Sequence, residues 1–189
     1  MWIDQGVLDA MLRVRTPWLT DVVTVVTDLG GTLASWVITA VVTIVLLVRR
    51  RPREAEMVAG AMLSGLLVMT GLKLLFGRER PPFPDRLVDE ATHSFPSGHA
   101  MMSAILVCVV GAALVRVIGP RARNPVVFGL LALWTVAVGL SRVYLGAHWL
   151  TDVLAGWAFG IAWAALWIWG VSRFGSVGDK SRESATDCS

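Results

Sequence analysis

Apolar residues fill five long runs of the chain, at about 32–48, 55–76, 99–118, 125–144 and 149–171. Each holds roughly the 17–25 residues that cross about 30 Å of hydrocarbon. Against lipid such segments are helical, because unpaired backbone groups are not tolerated there. Arg49, Arg50, Arg51, Pro52 and Arg53 close the first run, and a GPRARNP segment at 119–125 closes the third. The pattern predicts an all-α fold: an integral membrane helical bundle over 32–171, followed by a polar cytoplasmic tail over 172–189. Gly156 and Gly160, one helical turn apart on the last run, suit close helix packing.

Residues 1–31 follow a different pattern. Stretch 6–15 is amphipathic. Segment 17–31 (PWLTDVVTVVTDLGG) is apolar on one face but carries Asp21, Asp28 and three threonines, so it is too short and too polar to span alone. Both are expected as helices lying at the outer interface, which leaves five spans. A six-span arrangement, with 17–31 inside the bilayer, is the alternative, and a further helix upstream of this chain is a third.

Composition narrows the class. Hydrophobic residues make up 55% and charged residues 16%, which suits a membrane protein and excludes an ordinary soluble domain. The net charge of +3 rests on arginine. These arginines cluster at helix ends as topology signals, so no nucleic-acid partner is expected. Arg49–Arg53, then Arg116, Arg121 and Arg123, then Arg173, Lys180 and Arg182 mark one side as cytoplasmic by the positive-inside rule. Cys108 and Cys188 lie too far apart in the pattern for a disulfide and lack metal-ligand spacing.

Three polar clusters remain, all on the opposite, extracytoplasmic side: KLLFGRERP at 73–81, PSGH at 96–99 and SRVYLGAHWLTD at 141–152. Ionisable groups at a membrane edge are costly and mark function by default. His148 and Asp152 are four apart, so on a helix they share a face. A carboxylate there fixes the imidazole tautomer and leaves the other nitrogen free as a nucleophile. The same pair also reads as a helix-start cap. Arg142 offers a planar fork suited to phosphate oxygens, or is an interfacial arginine reaching the headgroups. Ser97, Gly98 and His99 open a helix, whose N-terminus favours anions. Ser97 can cap or donate, Gly98 allows close approach, and His99 can give a proton; an ordinary cap is the plainer reading. Lys73 and Arg80 are seven apart and project alike if their helix continues to Pro81. Two fixed cations there would neutralise a phosphate dianion. Arg78 and Glu79 read as a surface pair, and Asp89, Glu90 and His93 as residues of the outer loop, solvated or shaping selectivity.

Taken together, the residues match a known pattern: Lys, six residues, Arg-Pro; Pro-Ser-Gly-His; Ser-Arg, five residues, His, three residues, Asp. The chain resembles the type 2 phosphatidic acid phosphatase (PAP2) superfamily of integral-membrane lipid phosphatases across about 32–171. The resemblance implies His148 as the nucleophile forming a phosphohistidine, Asp152 as its orienting partner and His99 as the general acid. It assigns Lys73, Arg80, Ser97, Gly98 and Arg142 to the phosphate, with no metal and no cofactor. Vanadate is expected to inhibit. Members usually have six spans, and the short N-terminus departs from that. The implied substrate is a lipid phosphate in the cell membrane, with polyprenyl pyrophosphate favoured over phosphatidic acid or phosphatidylglycerol phosphate. Two rivals stand beside this. One is a vanadium haloperoxidase-like enzyme, whose relatives are soluble. The other is a non-catalytic phospholipid or phosphate transporter, which needs no oriented nucleophile. The oligomeric state is not encoded in any of these features.

Overall fold

A computed structural model describes residues 2–186, and side chains from residue 2 to 174. The side chains of Lys180 and Arg182, and Cys188, lie outside the described residues. Seven helices follow in order: α1 (Trp2–Arg13), α2 (Pro17–Leu29), α3 (Thr32–Val48), α4 (Pro52–Phe76), α5 (Gly98–Ile118), α6 (Pro125–Tyr144) and α7 (Leu150–Thr186), with a 3-10 turn at Pro120–Ala122. The described residues contain no strand.

Local chemistry sets the boundaries. Pro17, Pro52 and Pro125 occupy first-turn positions, where the missing N–H costs nothing. Asn124 caps α6, its side chain accepting from Val126 N–H at 2.9 Å. Gly77 ends α4 in the left-handed conformation (φ 55°). Among the described residues, five helical stretches are long and apolar enough to cross a membrane: Pro17–Val48, Pro52–Phe76, Gly98–Ile118, Pro125–Tyr144 and Leu150–Phe174. The first joins α2 and α3 through Gly30 and Gly31, so segment 17–31 continues directly into the run at 32–48. Gly30 lies tight on α6, where an added Cβ would stand 2.3 Å from a methyl of Val138.

α5 is the central helix, with 50% of its apolar window buried against 17–28% in the other four. Apolar side chains such as Leu67, Leu133, Ile161 and Trp169 face outward, as a lipid solvent requires. α7 packs onto α5 through the two expected glycines. A Cβ on Gly156 would meet Ser97 O at 2.8 Å, and one on Gly160 would meet Met101 O at 2.6 Å. The interior is closed by Met57, Val58, Met62, Met101, Ile105 and Val109. Within it, Ser64 Oγ accepts from the indole N–H groups of Trp163 (3.2 Å) and Trp167 (3.0 Å). Chain reversal at each helix end gathers Lys73, His99 and His148 at one end of the bundle and Arg49–Arg53, Arg116 and Arg173 at the other.

Candidate active site

His148 sits in the turn between α6 and α7, not on a helix. That turn is tightly pinned. Ala147 and His148 donate their N–H groups to Arg142 O at 2.9 and 3.2 Å. Gly146 adopts φ 67°, and a Cβ there would stand 2.5 Å from Asp85 O, so only glycine fits. The loop over 77–97 lies directly on this turn, with Leu87 N–H donating to Leu145 O at 2.9 Å.

The expected geometry of His148 and Asp152 is corrected in one respect. Asp152 lies in the first turn of α7, while His148 precedes the helix, and His148 Nδ1 stands 3.6 Å from Asp152 Oδ2. Ser94 bridges them. Its hydroxyl donates to Asp152 Oδ2 at 2.5 Å and lies 3.4 Å from His148 Nδ1. Asp152 Oδ2 also accepts from Trp149 N–H at 2.9 Å, so the carboxylate caps α7 and orients the imidazole at once. On the other side of the ring, Arg80 Nη1 lies 3.3 Å from His148 Nε2. A guanidinium only donates, so Nε2 is the acceptor and the ring proton belongs on Nδ1. Burial pushes the His148 pKa down to about 4; Asp152 pulls it up, and Arg80, Arg142 and Lys73 add to the fall. The imidazole is neutral at pH 7.

The cations converge on the same space, but not by one helix face. α4 stops at Phe76, and Arg80 reaches the site from the loop. Lys73 Nζ donates to His93 O at 2.5 Å. Arg80 donates to Thr92 O (2.8 Å) and Ala147 O (2.7 Å). Arg142 is buried, donating to Thr27 Oγ1 at 3.0 Å. Thus the apolar-faced α2 supplies a polar partner to the site. Glu90, expected as a solvated loop acid, instead bridges the two arginines. It contacts Arg142 Nη2 directly and lies 3.4 Å from Arg80 Nη2. Burial pushes its carboxyl up, but Arg142 and Arg80 outweigh that and hold it below the usual glutamate value.

Lys73, Arg80, Glu90, His93, Gly98, His99 and His148 line one cavity of about 450 Å³, whose apolar wall includes Trp36, Leu66, Met69 and Leu74. Charged and apolar side chains thus line the same cavity. Gly98 contributes space, since a Cβ there would meet only Met69 at 3.6 Å and Lys73 Cε at 4.0 Å. Ser97 N–H donates to Asp152 O at 3.0 Å, but its side chain makes no cap. Ser97 Oγ and Arg142 Nε are buried without a partner among the described residues. Unpaired buried donors beside paired cations suit an anion.

Arg78 does not pair with Glu79. It donates to Asp152 Oδ1 at 2.5 Å and to Asp4 Oδ2 at 2.7 Å. Ser94, Arg78, Glu90, Thr92 and Asp4 are therefore site residues without a signal in local spacing. Among the described residues, no group of three or more His, Cys, Asp or Glu is arranged to hold a metal ion.

Comparison with known proteins places this geometry. Residues 54–176 match the model of the PAP2 superfamily. Phosphatidylglycerophosphatase B of Bacillus subtilis (strain 168) is 31% identical over 159 residues, covering 84% of this chain and 78% of that protein. The crystal structure of the transmembrane PAP2-type phosphatidylglycerolphosphate phosphatase from Bacillus subtilis superposes with a TM-score of 0.80 at 30% identity, over 92% of this chain and 84% of that one. Aquifex aeolicus LpxE shares the fold alone, with a TM-score of 0.70 at 21% identity over 87% of this chain and 93% of that one. With its family signature matched over most of the membrane region and its fold shared across nearly the whole chain, this protein belongs to the PAP2 superfamily and is a multi-pass membrane lipid phosphatase.

Proposed function

We propose that the chain dephosphorylates a membrane lipid through a phosphohistidine on His148. The observation that carries this is the meeting of a neutral imidazole, a second imidazole and two cations, Lys73 and Arg80, around one cavity with apolar lining, with Arg142 joined to it through Glu90. Nε2 of His148 attacks phosphorus, Asp152 and Ser94 hold the developing imidazolium, and His99 protonates the departing oxygen. Water then hydrolyses the phosphohistidine, with His99 taking its proton. Lys73, Arg80 and Arg142, with the N-terminus of α5 at Ser97 and Gly98, neutralise the charge that grows on the phosphoryl oxygens. Glu90 supports the anion assignment, because a carboxylate already sits between two of these cations.

Similarity along most of the chain to a phosphatidylglycerophosphatase makes phosphatidylglycerol phosphate the first substrate to test. Polyprenyl pyrophosphate, favoured from the short chain, and phosphatidic acid follow. The arginines at the far end of the bundle support an extracytoplasmic site in the cell membrane. An impermeant thiol reagent on intact cells should label Asp89→Cys, since Asp89 is exposed in the loop; protection there sinks the orientation.

The decisive experiment is acid-stable and acid-labile phosphate trapping on purified protein during turnover. Wild type should carry acid-labile phosphate on one histidine, and His148→Ala should carry none and turn over no substrate. Labelled phosphate retained by the variant overturns the mechanism.

A further inference from the structure

Arg78 lies between two buried carboxylates from distant parts of the chain. Its Nη1 donates to Asp152 Oδ1 at 2.5 Å and to Thr151 Oγ1 at 2.7 Å, and its Nη2 donates to Asp4 Oδ2 at 2.7 Å. Asp4, on α1, accepts from Thr151 N–H at 2.9 Å and from Thr151 Oγ1 at 2.8 Å. Both carboxylates are almost fully buried, Asp152 at 0% and Asp4 at 3% exposure. Carboxylates so deep are tolerated when a cation is shared between them and helix N–H groups face them.

The oxygens of Asp152 are held separately. Oδ1 takes Arg78, while Oδ2 takes Ser94 and Trp149 N–H and faces His148. A carboxylate gripped on both oxygens cannot turn, so its approach to the imidazole is fixed. Charge matters as well. Asp152 and Arg78 alone would make a neutral pair, a weak support for an imidazolium. With Asp4 the trio carries one net negative charge.

We propose that Arg78 and Asp4 are positioning residues for the nucleophile. Arg78 sets the orientation and charge of Asp152, and Asp4 secures Arg78 and makes α1 part of the catalytic assembly. This rests on His148 and Asp152 acting as the nucleophilic pair; neither Arg78 nor Asp4 touches the reacting atoms.

The two residues push His148 in opposite directions. Removing the charge of Arg78 favours the imidazolium, so the acid limb of kcat/KM moves to higher pH. Removing the charge of Asp4 leaves Arg78 uncompensated, so the limb moves to lower pH. The other charged or titratable groups facing His148 are Lys73, Arg80 and Arg142, with Glu90 and His99 across the cavity. They are unchanged in both variants.

The test uses the full chain in detergent micelles with phosphatidylglycerol phosphate, comparing wild type, Arg78→Ala, Arg78→Lys and Asp4→Asn across pH. Arg78→Ala should lower kcat about 100-fold with KM held within about threefold, the scale of a misplaced reacting group. Arg78→Lys should recover about tenfold of that, since it restores the charge. The substrate's own ionisation is common to all variants and cancels in the comparison. Opposite displacements of the acid limb support the proposal. Unchanged limbs, limbs moving together, or no rescue by lysine overturn it. Should Arg78→Ala not fold, Arg78→Gln removes the same charge with less loss of side chain and carries the comparison with Asp4→Asn. Phosphate trapping on wild type reports separately on the nucleophile. If no phosphohistidine forms there, the mechanism fails; if it forms and the limbs stay put, only the positioning role fails.

Discussion

Replacing Glu90 by glutamine asks whether the cations of the cavity are reserved for an incoming anion. Its carboxylate touches Arg142 and lies 3.4 Å from Arg80. Two unit charges at that separation interact by roughly 5 kcal/mol at an effective dielectric of 20. The glutamate side chain is 28% exposed, and water screening brings each pair to about 1–3 kcal/mol. A phosphate or vanadate that engages both arginines must displace this carboxylate or bind against its repulsion. Glutamine keeps the length and drops the charge. Vanadate should then inhibit at about 10- to 100-fold lower concentration, equivalent to about 1.4–2.8 kcal/mol. The assay is steady-state lipid hydrolysis at fixed pH with vanadate or inorganic phosphate as competitor. Arg142 loses its counter-charge in the empty enzyme, so thermal unfolding should drop without vanadate and recover with it. An inhibition constant that stays the same or rises refutes the competition, and would make Glu90 a support for Arg142 instead.

Ser94→Ala removes a hydrogen bond to the buried carboxylate, worth about 1.5–3 kcal/mol, and should lower kcat by about tenfold or more with little change in KM. Gly160→Ala drives a methyl to 2.6 Å from Met101 O and should cost about 1–3 kcal/mol in detergent melts, whereas Gly71→Ala, with nothing within 4 Å, should cost nothing. Because His148 binds its proton at about 4 in the folded state against 6.5 ordinarily, the unfolded chain takes the proton first. Its contribution to stability is therefore lost as pH falls from 6.5 toward about 4, and changes no further below that. Melts of wild type against His148→Gln across this window should show a shallower slope in the variant; an equal slope in both sinks the assignment.

The membrane helices were legible because their apolar runs end in proline, glycine and arginine, which are local signals. Lys73, Arg80, Ser97, Gly98, His99, Arg142, His148 and Asp152 were legible as candidates for a related reason, since each lies at or near such an end. What stayed hidden was held by distance along the chain. Ser94 meets Asp152 58 residues away, Arg78 meets Asp4 across 74, and Arg142 meets Thr27 across 115. No spacing rule reaches that far. Arg78 beside Glu79 invited a local pairing, yet neighbours in sequence seldom face each other. Glu90 looked solvated because it lies in a loop, and only the closing of that loop over the α6–α7 turn brings it to the arginines.

That closure joins two parts usually treated as separate. Gly146 is pressed against the carbonyl of Asp85, and Leu87 is hitched to Leu145, so the segment bearing Glu90 and Ser94 rides on the segment bearing His148. Any tilt of α6 against α7 must therefore re-aim His148, its bridging serine and Glu90 as one plate. A bilayer that stretches or thins around the bundle would be felt at the imidazole of His148 through this single lever.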